Sequence, residues 1–275
     1  MSMNFSREQS LLRQRLQAAG SPTLAAARQS EIGGTTTFLG ADGDAIRAAA
    51  GDLAATYPQM GRAQMTAFVR TLWQSRIHEL RAVGVELLAA RAALLEAADF
   101  DFLEQLLKES ETDGLAERVA GDVLGPLVSK NKKLWKDLRR FAAASTVAMQ
   151  RAAVRACRRP LLDDSEAFPR FLELSEPLFA VADDALQQAI DELLTAAAAV
   201  HNDAVRELAE RHGRKIKLPK RKAAAAAKGP IPAKAPIPSA KAPMPVKTGP
   251  VKNGLPKAPA AAKKAAAKRS TAPKD

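Results

Sequence analysis

Aromatic residues are scarce: nine Phe, two Trp and one Tyr in 275 residues. β-rich domains draw on aromatic and β-branched side chains, so this poverty, beside an abundance of Ala and Leu, argues against an all-β fold. A single cysteine, Cys157, excludes an internal disulfide and a cysteine-based zinc site. That usage suits a reducing cytosol. No apolar run reaches the roughly 18 residues that a membrane span requires. The first 20 residues carry charges throughout and lack an apolar core, so no secretory signal is expected. The three histidines, His78, His201 and His212, have no partners at metal-ligand spacing, and no metal or other cofactor is expected. Gly33-Gly34 has no phosphate-loop pattern around it.

Acidic charge is nearly missing from one end of the chain. Residues 214–275 hold 17 basic side chains and one acidic one, with 17 Ala, 11 Pro and no aromatic. Such a segment cannot bury enough apolar surface to offset its ordering entropy, and it reads as a disordered basic tail. Residues 1–213 keep 25 basic and 29 acidic groups, so the net charge of +12 belongs to the tail. The expected division is a helical domain over 1–213 and a tail over 214–275.

The body reads as helix after helix. Apolar residues recur at helical spacing in segments 5–19, 41–56, 62–73, 76–98, 100–109, 114–128, 133–141, 147–158, 165–174, 177–199 and 202–211. Most of its six prolines fall at the boundaries of these segments. Ten or more short helices suggest an all-α solenoid of two-helix repeats, about 40 residues per unit. A closed helical bundle is the competing arrangement. Trp73 and Trp135 sit on apolar faces and read as core, and a lone helical cysteine such as Cys157 reads as structural.

One stretch of the body is strongly cationic. Between Lys130 and Arg159 stand ten basic residues, among them Lys132, Lys133, Lys136, Arg139, Arg140, Arg151 and Arg155, against Asp137 alone. Arg151 and Arg155 share a helix face. Phosphate recognition needs several cations along one surface, so these seven are candidate DNA-binding residues. The tail's lysines suit non-specific attachment to nucleic acid.

Four patches carry a family resemblance. The first is Thr36-Thr37-Phe38-Leu39-Gly40, followed by Ile46 and Arg47; the second is Leu72-Trp73 with His78-Glu79-Leu80-Arg81 and Leu87-Leu88. The third runs from Thr112-Asp113-Gly114-Leu115-Ala116-Glu117 to Val123-Leu124-Gly125-Pro126-Leu127, and the fourth is Met149-Gln150-Arg151-Ala152-Ala153. In order and spacing they resemble the AlkD-type DNA alkylation repair glycosylases over roughly residues 5–211. That resemblance implies HEAT-like helical repeats, duplex DNA on a concave basic face, and metal-free hydrolysis of the N-glycosidic bond of cationic alkylpurines. A carboxylate steadies the oxocarbenium-like sugar, tryptophans cradle the damaged nucleotide and an arginine holds the backbone. Aligned without gaps, the carboxylate falls on Glu117 and the arginine on Arg151. The two tryptophan positions fall on Asp113 and Glu192, which are acids here. A register shifted by one residue would put Ala116 at the carboxylate's place.

The resulting expectation is a cytoplasmic, nucleoid-associated monomer that binds duplex DNA and excises alkylated bases with Glu117. Asp113 and Glu192 would line the cleft. A catalytically silent DNA-binding protein of the same fold is one alternative. A helical scaffold for protein partners, with nucleic acid bound by the tail alone, is the other.

Overall fold

A computed structural model describes residues 3–216 and 218. The remainder of the expected tail lies outside the described residues.

Helix starts are set locally. Asn4 caps α1 (Phe5–Ala19) by accepting from Arg7 N at 3.0 Å. Ser21 caps α2 (Pro22–Ile32), where Pro22 sits in the first turn and sacrifices no hydrogen bond. Asp42 caps α3 (Gly43–Thr56), accepting from Ala45 N at 2.8 Å. Then follow α4 (Arg62–Gln74), α5 (His78–Ala90), α6 (Phe100–Lys108), α7 (Asp113–Arg118), α8 (Gly125–Lys130) and α9 (Trp135–Ala142). The chain continues through α10 (Val147–Ala156), α11 (Arg158–Asp163), α12 (Phe168–Ser175) and α13 (Asp184–Arg211). Among the described residues there is no β-strand, only a single bridge between Thr37 and Ile77. No helix among them is long and apolar enough to cross a membrane.

The chain packs stepwise, as an all-α helical repeat. α3 and α4 lie on α5, α9 on α10, α8 on α11, and both α10 and α11 on α13. Among the described residues no strong contact joins α1–α4 with α8–α13, as one shared bundle core would require. The buried face is a continuous apolar layer that includes Trp73, Trp135 and Cys157. Burial pushes the Cys157 thiol well above its ordinary pKa, which leaves it unreactive.

Two of the sequence patches lock onto each other. The buried Glu79 carboxylate accepts from Leu39 N and Gly40 N, both at 2.9 Å. His78 N donates to Thr37 O at 2.9 Å, and Thr37 N to Arg76 O at 2.8 Å. Gly40 is required at the junction: its φ is +78°, and a Cβ there would lie 2.1 Å from Ser21 O.

The structure departs from the sequence reading in several places. α2 falls where no helix was expected, because none of its residues is buried and it shows no apolar stripe. The expected helix over 76–98 stops at Ala90. The Arg91 guanidinium instead bonds the carbonyls of Ala54, Tyr57 and Met60 at 2.9–3.0 Å, closing the C-terminal end of α3. Two 3-10 turns follow, Ala92–Leu94 and Ala97–Asp99. The helix expected over 147–158 ends at Ala156, and after Cys157 alone a further helix, α11, covers residues 158–163, where a connector is expected beyond Arg158. The helix expected over 177–199 begins only at Asp184, after a 3-10 turn over Glu176–Ala180, and continues through 202–211 as α13, which bends at His201, where Nε2 meets Leu161 O at 2.8 Å.

Candidate nucleic-acid interface

Three elements bring the candidate residues together. Thr112 caps α7 by accepting from Leu115 N, which places Asp113 in its first turn and Glu117 one turn later. α10 presents Arg151 and Arg155, also one turn apart, and it packs against both α7 and α13. α13 contributes Glu192.

The side chains form one chain of alternating charge. Arg151 Nη1 reaches Asp113 Oδ2 at 3.0 Å, and its Nη2 lies 3.6 Å from Glu117 Oε1. The same oxygen accepts from Arg155 Nη2 at 2.9 Å, while Arg155 Nη1 bonds Glu192 Oε2 at 2.5 Å. Gln188 Nε2 donates to the other Glu192 oxygen at 2.9 Å. The arginines are the better shielded members, with side-chain exposures of 14% and 25% against 38% for Glu117. Burial opposes the charge of Arg155, but the hydrogen bond to Glu192 and the attraction of Glu117 outweigh it, and its pKa is raised. The bond from Arg155, then that from Gln188, holds the Glu192 carboxyl below its usual range. Three carboxylates thus share two guanidinium groups.

α7 continues into a π-helical turn, Val119–Leu124, and then into α8. Pro126 accounts for the widening: it lacks the N–H that would bond back into the helix, and its ring presses on the preceding turn. The widened turn borders a cleft of about 660 Å³ lined by Glu117, Arg118, Gly121, Asp122, Arg155, Arg158, Arg159 and Leu162. Arg118 is tied to Glu86 and to Asp122, and Arg159 to Asp163 at 2.7 Å. Of these lining residues, Arg118, Gly121, Asp122 and Leu162 belong to no motif or charge block in the sequence. Their one sequence signal is Pro126 inside a helical pattern.

The cationic block of the sequence does not stay a block. Lys132 pairs with Asp164 at 2.7 Å and Arg139 with Glu173 at 2.8 Å. Arg140 binds Glu104 through both nitrogens, at 2.8 and 2.6 Å. This fork, with Lys108 adding to it, holds the Glu104 carboxyl down to about 2. Lys133 and Lys136 are exposed, as is Arg158. Acids from outside the block neutralise most of its excess, so the local net of +9 overstates the cations that the face offers.

A second cleft, of about 570 Å³, is lined by residues of α4, the α4–α5 turn, α5, α6 and the α6–α7 loop, including Arg70, Trp73, Arg76, Arg81, Phe102 and Glu111.

A family model described as DNA alkylation repair enzyme matches residues 12–227. A solved structure described as a predicted DNA alkylation repair enzyme from Enterococcus faecalis aligns with a TM-score of 0.57 and 13% identity, over 76% of this chain and 98% of its own. At that identity the likeness speaks for the fold. No curated protein matches.

Proposed function

The chain belongs to the DNA alkylation repair enzyme family, and on that premise we propose that it binds duplex DNA across α7, α10 and α13 and excises cationic alkylpurines there. The observation that carries this reading is the placement of Glu117 between Arg151 and Arg155 at the edge of an open cleft. HEAT-like repeats would supply the rigid frame.

The chemistry asks little of the protein. A cationic alkylpurine is already a good leaving group: when the C1′–N bond breaks, the electron pair moves to the base, which departs neutral without a general acid. The sugar acquires oxocarbenium character, and water adds to C1′ and gives up a proton. A carboxylate fixed beside the sugar lowers the energy of that cation. Arg155 holds Glu117 by a hydrogen bond and Arg151 by charge at 3.6 Å, and a DNA phosphate can take over their remaining N–H groups. Asp113 and Glu192, at the positions where the resemblance implies tryptophan, would attract a cationic base by charge instead of stacking. Lys132, Lys133, Lys136, Arg139 and Arg140 would meet the flanking backbone, and the basic tail would add sequence-independent attachment.

Base release from methylated duplex DNA tests the proposal, comparing the full chain, Glu117→Gln and a chain ending at Leu218. The last keeps Arg214, which is bonded to Gln187 and Asp191 on α13. Release that disappears in Glu117→Gln is the expected result. One observation favours a second reading, DNA binding without excision: both arginines already draw on the Glu117 charge. Folded, DNA-bound protein that releases no base would establish that role instead.

A further inference from the structure

The second cleft holds a cation whose partners are unusual. Arg81 is 6% exposed, and side chains so buried are ordinarily paired with an opposite charge. Its bonds go to neutral oxygens: Nε to Trp73 O at 3.0 Å, and Nη1 to Glu109 O at 3.4 Å and Thr36 Oγ1 at 3.5 Å. Burial works against its charge and lowers its pKa; Glu111 and Glu109 offset this at longer range, and Arg76 adds repulsion. The guanidinium carbon lies 5.1 Å from the Trp73 ring centre, a further but modest compensation.

Two more arginines stand at the rim. Arg70 lies over the Phe102 ring at 4.2 Å, which fixes the plane of its guanidinium and leaves the N–H edges for other acceptors. One Arg70 nitrogen makes a 3.4 Å bond to Gln105 Oε1. Arg76 is held at φ +55°, a conformation unfavourable for a non-glycine residue. Its carbonyl is fixed by Thr37 N at 2.8 Å, so the turn keeps Arg76 at the cleft despite the strain. Among the described residues, neither takes part in an ion pair. The Trp73 indole N–H, on a residue that lines the same cleft, is buried without an acceptor.

The nearby acids are engaged elsewhere. Glu111 accepts from Thr36 N at 3.2 Å and Thr35 Oγ1 at 3.4 Å; Glu109 accepts from Gln105 Nε2 at 2.9 Å. The cleft therefore presents donors in excess: three guanidinium groups with no carboxylate bonded to them. Several acceptor oxygens on one compact anion answer that arrangement, which is the chemistry of a phosphate group.

We propose that the cleft formed by Arg70, Arg76 and Arg81 is a phosphate-binding site, and that its ligand is a backbone phosphate of the DNA strand engaged at Glu117. The proposal rests on the DNA-binding reading above. Its geometric support is the α6–α7 loop: Glu109–Glu111 form one wall of the cleft, and only Thr112 separates Glu111 from Asp113 of the Glu117 network. A DNA strand carries a charge every ~3.4 Å along the helix axis, so neighbouring phosphates can serve both places.

The test uses the full chain, duplex DNA and the paired substitution Arg70→Gln with Arg76→Gln. Both residues are exposed, so the fold should tolerate the change. Losing this one phosphate contact should flatten the plot of log affinity against log salt by about 0.9 and cost roughly tenfold in affinity at low salt. In parallel, the two tryptophan indole N–H resonances are followed by NMR, with Trp73 assigned from Trp73→Phe. Duplex DNA should move the Trp73 signal and leave Trp135 in place; in the double variant neither signal should move. An unchanged salt slope in DNA-binding protein overturns the proposal while the DNA reading stands. A Trp73 shift with inorganic phosphate, in a protein that binds no duplex, refutes the DNA source and the DNA reading together and leaves a site for free phosphate. No Trp73 response to either probe overturns the site itself.

Discussion

Two groups of arginines in this protein meet opposite circumstances. Arg151 and Arg155 sit among three carboxylates and share them in a continuous network. Arg81 is more deeply buried and bonds only carbonyl and hydroxyl oxygens, with Arg70 and Arg76 beside it. By residue count the first group looks the stronger anion site, because it stands in the cationic stretch of the sequence. By available N–H groups the second is better prepared. What matters for a phosphate is the charge left over after the protein has satisfied itself.

The sharpest way to break this comparison is Glu117→Gln. If Glu117 acts on the sugar cation, the substitution should lower base release about 10²–10³-fold, the range for removing one preorganised electrostatic group. Its effect on duplex affinity should be at most a few-fold gain, because the arginines lose one competing charge while the amide oxygen still accepts from Arg155. Single-turnover base release alongside equilibrium binding separates the two. Release that persists in the variant would place the chemistry elsewhere and leave Glu117 a partner for arginines only.

Next in size is the pair that shows what full satisfaction is worth. Glu104 receives both nitrogens of Arg140, and its carboxyl lies at about 2 against an ordinary 4.5. A folded-state pKa below the unfolded value contributes stability that is complete above pH ~4.5 and lost as pH falls through ~2. Arg140 is half exposed, so solvent screening discounts the contribution to about 2 kcal/mol. Glu104→Gln should lower stability at neutral pH by that amount and flatten the acid limb of a denaturation series. An unaltered pH profile would mean that this fork gains nothing over water.

How far these features could be read from sequence depends on their range. Caps such as Asp42 and Thr112 act three residues away, and the helices they start were legible. The Leu72-Trp73 and Glu79 patch stood out, and the contacts of Glu79 with Leu39 and Gly40 explain why those residue types occur there. The break after Ala90 was not legible, because Arg91 spends its donors on carbonyls more than thirty residues earlier. α2 was missed because it buries nothing, so no apolar periodicity marks it. At the candidate site, helical spacing put Asp113 beside Glu117 and Arg151 beside Arg155. The bond from Arg155 to Glu192 spans 37 residues, and no local rule announces it. The same holds for the acids that neutralise Lys132, Arg139 and Arg140: their positions in space, not in sequence, decide how much cation remains.

The smallest expected effect has the most telling sign. Asp113 and Glu192 bond the guanidinium groups that a phosphate would need, so in the free protein they stand in the phosphate's place. Asp113→Asn together with Glu192→Gln keeps similar shapes and one acceptor oxygen at each position but removes two competing charges. Duplex affinity should rise several-fold, an effect of about 1 kcal/mol for partly exposed pairs. The salt dependence should steepen, because Arg151 and Arg155 then neutralise phosphates instead of carboxylates. Arg70→Gln with Arg76→Gln must move both quantities the other way, since neither arginine takes part in an ion pair among the described residues. Weaker binding in the Asp113 and Glu192 variant would mean that the two acids act on the DNA complex itself, holding a cationic base where an aromatic wall would otherwise stack. The network would then be a lesion-binding device, and the self-paired arginines its scaffold.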